Sequence, residues 1–250
     1  MITQVPYLTI NPSRCTIAAM NPLAGVPNEA WQMYKAHARH LLAIAFVIYL
    51  LAGLLAASLA LAGPVGDIFG FLVYVLAAFL LQAALTKAVQ NELEGRADLS
   101  IGDTVSAATP FIGPVAIASI LAGIAITIGL FLLIVPGLIL LTIWAVIIPV
   151  IVIERSGALE SFGRSQQLVR GRGWQVFGTL VLLYIIQIVA GALLAAIFAA
   201  LPNAYRDGLT TVISGTLVAP YLALGVTLIY YRLAGGDAGS SGGETTARSL

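Results

Sequence analysis

The sequence predicts an all-α polytopic membrane protein, with six transmembrane helices in three hairpins and short interfacial helices on the cytoplasmic side. Three observations lead there. Of 250 residues, 60% are hydrophobic and only 9% are charged, against about 25% charged in soluble domains. Mean hydropathy is +0.99, so lipid must cover much of the surface. Apolar runs also recur at the length of a bilayer crossing, and the basic residues between them alternate in a way that only six crossings explain.

A hydrocarbon core about 30 Å thick needs roughly 20 apolar residues at about 1.5 Å rise each. Stretches 41–62, 68–86, 176–200 and 209–231 meet this and hold no formal charge. Stretch 111–153 is also uncharged, but as one helix it would reach about 65 Å, twice the core. Proline stops helices and glycine accepts turn geometry, so Pro136-Gly137 is the natural break. It gives helices over 111–135 and 138–153, with a hairpin tip short of the outer interface.

Lys and Arg stay on the cytoplasmic side of short loops. With six spans, Arg14, Lys35, Arg39, Lys87, Arg96, Arg155, Arg164, Arg170, Arg172, Arg232 and Arg248 share one side, and Arg206 alone takes the other. A single span over 111–153 would destroy that segregation. Both termini are therefore expected in the cytoplasm, and the bacterial plasma membrane is the expected location. Trp31, Tyr34, Trp174, Tyr230 and Tyr231 stand at span ends, where amphipathic rings prefer to sit. The chain divides into an arm with an interfacial helix (1–40), a six-helix domain (41–233) and a tail (234–250) whose Gly, Ser and Thr read as disordered.

Other classes are excluded early. A net charge of +1 lacks the basic footprint of a nucleic-acid binder. Cys15 is the one cysteine, so there is neither an internal disulfide nor a cysteine-based metal site. Residues 1–40 lack the apolar core of a cleavable signal peptide, so the first span is expected to direct its own insertion. Met20 stands just before the organised part of the chain and is a second possible start of translation.

A short helix-capable segment precedes each hairpin: from Pro27 to His40, from Ser100 to Pro110, and from Ser156 to Arg172. This is a weakly matched threefold plan of interfacial helix plus hairpin. In the third segment Leu159, Phe162 and Val169 share one side at helical spacing, opposite Glu160, Arg164 and Gln167. Such a helix is expected in the interface, with Arg164, Arg170 and Arg172 near lipid phosphates and Trp174 at its end. Glu160 and Arg164 also stand at i, i+4 and are spaced to pair. Topology signalling alone is the plainer role for these arginines.

Pro149 through Glu154, Arg164-Ser165, Leu168 through Gly171 and Trp174 through Gly178 resemble the bacterial family named for the membrane domain of glycerophosphoryl diester phosphodiesterases. Ala30-Trp31 with Tyr34-Lys35, Glu92 through Arg96 and Ile134 through Gly137 are similar to the same family. The resemblance runs from about Asn28 to about Tyr231 and implies a stand-alone membrane domain of uncharacterised role. In members that hydrolyse glycerophosphodiesters, the chemistry belongs to a separate soluble barrel. No such barrel is expected in these 250 residues, so no catalytic residue is expected to carry over.

The residues themselves point the same way. His37 and His40 lack a nearby third ligand, so they are expected to be solvated rather than metal-bound. No HExxH, GxSxG or phosphate-cradling loop occurs. No catalytic, metal or cofactor residues are expected. The spans hold only neutral polar residues, of which Gln82 and Gln187 are the most expensive to leave facing lipid; both are expected to face the bundle in interhelical hydrogen bonds. Pro114, Pro149 and Pro220 allow kinks.

The expected role is non-enzymatic: organising or contacting membrane lipids, a membrane-protein partner or a second copy through the basic cytoplasmic segments. The alternative is a transporter or lipid-translocating permease with Gln82 and Gln187 lining a polar path. A membrane-embedded enzyme is third, because no nucleophile, base or metal set converges.

Overall fold

The chain is described by a computed structural model covering residues 23, 25–93, 109–200 and 203–246. Arg14, Cys15, Met20, Arg96, Arg248 and most of the second interfacial segment lie outside the described residues. In chain order the helices are α1 (Val26–Ala36), α2 (Ala38–Ala60), α3 (Pro64–Leu93), α4 (Ile112–Leu132), α5 (Ile134–Ile143), α6 (Ile147–Glu154), α7 (Ala158–Val169), α8 (Gly173–Ile197) and α9 (Asn203–Thr246). No strand occurs among the described residues. Six helical stretches are long and apolar enough to cross a membrane: Ala38–Ala60, Pro64–Gln90, Ile112–Leu132, Ile134–Glu154, Gly173–Ala200 and Gly208–Gly235. The protein is an all-α polytopic membrane protein.

In lipid, a helix gains little by hiding large apolar groups and associates instead through close packing of small ones. α2 shows this in its outer half, where Ala52 and Ala56 are buried and Leu51, Leu54 and Leu55 face outward; nearer its start Leu41, Ile44, Ile48 and Tyr49 are buried with Ala45. It packs antiparallel to α9, so that a Cβ on Gly215 would meet the Tyr49 ring at 2.7 Å. Polar groups join α3 to α9. Gln82 Nε2 donates to the Ala223 carbonyl at 3.1 Å, the Thr86 and Thr227 hydroxyls lie 3.0 Å apart, and Thr227 donates to the Ala223 carbonyl at 2.9 Å. A second cluster joins Ala83, Val115 and Ala118 to Ile147, Ile151 and Val152.

The turn between the third and fourth spans is displaced from its expected place. It falls at Leu133, in extended conformation (φ −157°, ψ 128°), and Pro136-Gly137 lie within the first turn of α5. The first turn tolerates proline because its N–H has no partner to lose there. Glycine at position 137 serves close approach instead: a Cβ there would stand 2.4 Å from Leu130 Cγ and 2.6 Å from the Leu130 backbone nitrogen. On the facing helix, a Cβ on Gly129 would meet the Gly137 Cα at 3.1 Å.

The fourth span is two helices, with a break at Trp144–Val146. Pro149 has no N–H to offer the Ala145 carbonyl. The chain tightens instead into three-residue bonds, from the Ala145 N–H to the Thr142 carbonyl and from the Ile147 N–H to the Trp144 carbonyl, both at 3.3 Å. That leaves the Ile143 carbonyl without its helical donor.

The last helix continues to Thr246, through the segment read from composition as disordered. Extending a helix already formed by a packed span avoids the unfavourable nucleation step.

α1 is bound along α9. Leu23, Val26 and Ala30 are fully buried. The Tyr34 hydroxyl donates to the Leu217 carbonyl at 2.8 Å, and burial pushes its pKa up. Tyr221 donates to the Pro27 carbonyl at 3.2 Å. Arg232 pairs with Glu29. Trp31 stacks on Tyr34 and meets Tyr221 edge-on.

Candidate functional site: the basic elbow between α7 and α8

The site grows out of the break in the fourth span. After Glu154 the chain turns at Arg155, which adopts the left-handed conformation (φ 54°) common at helix C-termini. It then runs back along α6 as α7. Glu160 reaches back to accept the Gly157 N–H at 3.3 Å, and so caps the helix start instead of pairing with Arg164.

α7 buries two serines beside its apolar residues. Ser161 and Ser165 are fully buried and Leu168 and Val169 nearly so, while Leu159 is 75% exposed. Phe162 meets Trp144 edge-on at 4.9 Å between ring centroids. The reason is the break in the fourth span: the Ser165 hydroxyl donates to the Ile143 carbonyl at 2.7 Å. A small polar residue fits where a helix must approach closely and satisfy a backbone oxygen.

Arg164 is not a free headgroup contact. Its Nε lies 3.1 and 3.0 Å from the two carboxylate oxygens of Glu154. Tyr230 of α9 donates its hydroxyl to the same carboxylate at 3.0 Å. One carboxylate thus ties α6, α7 and α9 together. The pair is roughly a third exposed, so its coupling should be about 0.2–1 kcal/mol. A double-mutant cycle of Arg164→Gln and Glu154→Gln, read by thermal unfolding in detergent, should return a value of that order. Lipid content should stay unchanged in both single variants.

Past Val169 the chain makes the elbow. Gly171 takes φ +81°, a conformation an L side chain rarely adopts, and α8 begins at Gly173. Two grooves open on either side. One, of about 700 Å³, is bordered by Ile143, Gln166, Gln167, Val169 and Arg170. The other, of about 710 Å³, runs from Val135, Leu138 and Ile139 to Arg172, Trp174, Gln175 and Phe177. Both include Ile143, Gly171 and Gly173. Trp174 is 85% exposed and meets Phe177 edge-on. Among the described residues neither Arg170 nor Arg172 has an ion-pair partner. The Gln175 Oε1 is buried with no hydrogen-bond partner.

Of the four residues expected to form the contact, the structure thus gathers Arg170, Arg172 and Trp174 at the elbow and assigns Arg164 to the ion pair. The intramembrane glutamines also separate. Gln82 makes the expected interhelical bond. Gln187 Oε1 is buried without a partner, and neither glutamine borders either groove. Among the described residues no three His, Cys, Asp or Glu side chains gather as metal ligands.

Sequence reasoning placed Ser165, Glu154 and Gln175 in motif segments and gave none of them a role. The serine had a partial signal: Pro149 marks a disturbed turn before it, and Ser161 and Ser165 stand one turn apart. Nothing local marks Glu154, whose partners come from two other helices.

Comparison with known proteins gives one family. The model of DUF7847, a domain of unknown function, matches residues 99–234, more than half of the chain. No curated protein and no solved structure matches.

Proposed function

The chain belongs to the DUF7847 family, and from that premise we propose a non-enzymatic membrane protein whose basic elbow holds anionic lipid at the cytoplasmic face. One observation carries this reading: Arg170 and Arg172, which have no ion-pair partner among the described residues, stand where two grooves of about 700 Å³ meet. A volume of that order suits a small-molecule or lipid site. Guanidinium groups beside apolar walls suit a phosphate with its acyl chain. The cytoplasmic placement rests on the segregation of Lys and Arg. The likeness to the membrane domain of glycerophosphoryl diester phosphodiesterases is part of the proposal and rests on the sequence, its motif residues here including Arg164, Gly171 and Trp174.

Mass spectrometry of lipids co-purified with the detergent-solubilised protein tests the reading. Anionic lipid should be enriched over the bulk membrane, and the enrichment should disappear in the Arg170→Gln/Arg172→Gln double variant. A bulk-like profile in both proteins would reduce these arginines to topology signals. The permease alternative keeps one supporting observation, the unpartnered Gln187 Oε1.

A further inference from the structure

Resting on that reading, we infer that the elbow selects a lipid phosphomonoester, of the phosphatidic acid kind, over lipids whose phosphate is a diester.

Charge and reach both lead there. Arg170 and Arg172 flank Gly171, and Cα atoms two positions apart lie at most about 7 Å from one another. Arginine side chains are long enough at that spacing for both guanidiniums to close on one anion. The space beside the elbow is open: a Cβ on Gly163, Gly171 or Gly173 would meet nothing within 4 Å. Arg170 borders one groove and Arg172 the other, and they are the only charged or titratable side chains bordering either. On the neighbouring helices Glu154 holds Arg164 and Glu160 accepts the Gly157 N–H. Among the described residues, then, two positive charges stand at the elbow without a negative one to balance them. A phosphodiester supplies one negative charge and two unesterified oxygens. A phosphomonoester supplies about −1.5 to −2 at pH 7 and three acceptor oxygens, which suit two guanidinium forks at once. α8 also begins at Gly173 without a side-chain cap, and the positive end of a helix favours the same doubled charge. The apolar wall of Val135, Leu138 and Ile139 belongs to the groove that Arg172 borders, so the monoester arrives on an acyl chain rather than free in water.

The test uses the full chain reconstituted in vesicles of brominated phosphatidylcholine, which quench tryptophan fluorescence on contact. The signal from Trp174 is taken as the difference from Trp174→Phe. Unbrominated phosphatidic acid, or phosphatidylmethanol, in which one methyl caps the same phosphate, is titrated in to displace the quencher. At about pH 8, above the second phosphate pKa of about 6, phosphatidic acid should act at roughly threefold to tenfold lower mole fraction. At about pH 5 both lipids carry one charge while the arginines stay protonated, and the ratio should fall to about one. Arg170→Gln and Arg172→Gln, made singly, should each bring the ratio at the higher pH towards one, with both lipids still outcompeting phosphatidylcholine. Cardiolipin, whose two charges sit on separate diesters, should match phosphatidylmethanol per phosphate. Glycerol 3-phosphate added in water should not reverse the displacement. Equal action of phosphatidic acid and phosphatidylmethanol at the higher pH would overturn the inference and leave the anionic-lipid reading standing. So would a preference that survives at the lower pH, or cardiolipin acting as phosphatidic acid does. A preference that persists in both single variants would overturn the assignment to the arginine pair, and reversal by glycerol 3-phosphate would overturn the assignment to a lipid. Failure of both lipids to outcompete phosphatidylcholine would overturn the underlying reading and the inference with it.

Discussion

Replacing Gly137 by leucine should abolish the tight crossing of α4 and α5 and give the largest loss of stability of any single change at this hairpin. A Cβ at this position already stands 2.6 Å from the Leu130 backbone nitrogen and 2.4 Å from Leu130 Cγ. The side-chain atom could rotate away, but the backbone cannot move without separating the helices. Overpacking of a close contact costs about 1–3 kcal/mol, and a clash with backbone belongs at or beyond the upper end. Thermal unfolding in detergent should show a midpoint lower by on the order of 10 °C. Gly123→Leu is the matched control, because nothing lies within 4 Å of a Cβ there. It should unfold within a degree or two of the unaltered protein, roughly the spread of neutral surface changes. Equal destabilisation by the two substitutions would mean that glycine at 137 does not set the crossing.

The second large effect belongs to Ser165. Its hydroxyl is the donor observed for the Ile143 carbonyl, which the break at Trp144 leaves without its helical partner. Ser165→Ala leaves that carbonyl buried and unsatisfied, at about 1–3 kcal/mol. Ser165→Val adds two carbons to a fully buried position and should destabilise further. The loss should be local first, since the Ser165 bond joins α7 to the end of α5. Hydrogen exchange should therefore quicken in the amides of α7 before it does in α2 or α3. Uniform acceleration through the bundle would show that α7 is not a separately stabilised element. The same variants should weaken lipid enrichment without touching any arginine, because the elbow at Gly171 is positioned by the end of α7.

How much was legible follows from what kind of information each feature needs. Spans are a property of composition over a window, so 41–62 and 176–200 differ from α2 and α8 by a few residues at each end. The six-span count came from apolar run lengths and the Pro136-Gly137 break, with charge segregation as its check, and agrees with the six apolar stretches observed. Pro136 and Pro149 were both visible as helix breakers, yet each sits just inside a new helix rather than at the gap. Proline disrupts the turn before it, so the break lies on its N-terminal side. The apolar side read from α7 divides in the structure: Val169 is buried, Phe162 is half-buried and Leu159 is exposed. Ser161 and Ser165 are buried beside them, because close packing of helices favours small residues. The pairing of Arg164 with Glu154 across ten positions, rather than with Glu160 across four, depends on the fold-back of α7. No local spacing rule carries that.

The most direct test of the elbow as the lipid seat is crosslinking with a photoreactive anionic phospholipid, followed by peptide mapping. The probe carries its diazirine midway along one acyl chain. The predicted result is labelling concentrated on residues 135–143 and 173–177, competed away by unlabelled anionic lipid and lost in the Arg170→Gln/Arg172→Gln variant. Labelling spread evenly over the outward faces of α2, α4 and α8, and unchanged in that variant, would contradict the account.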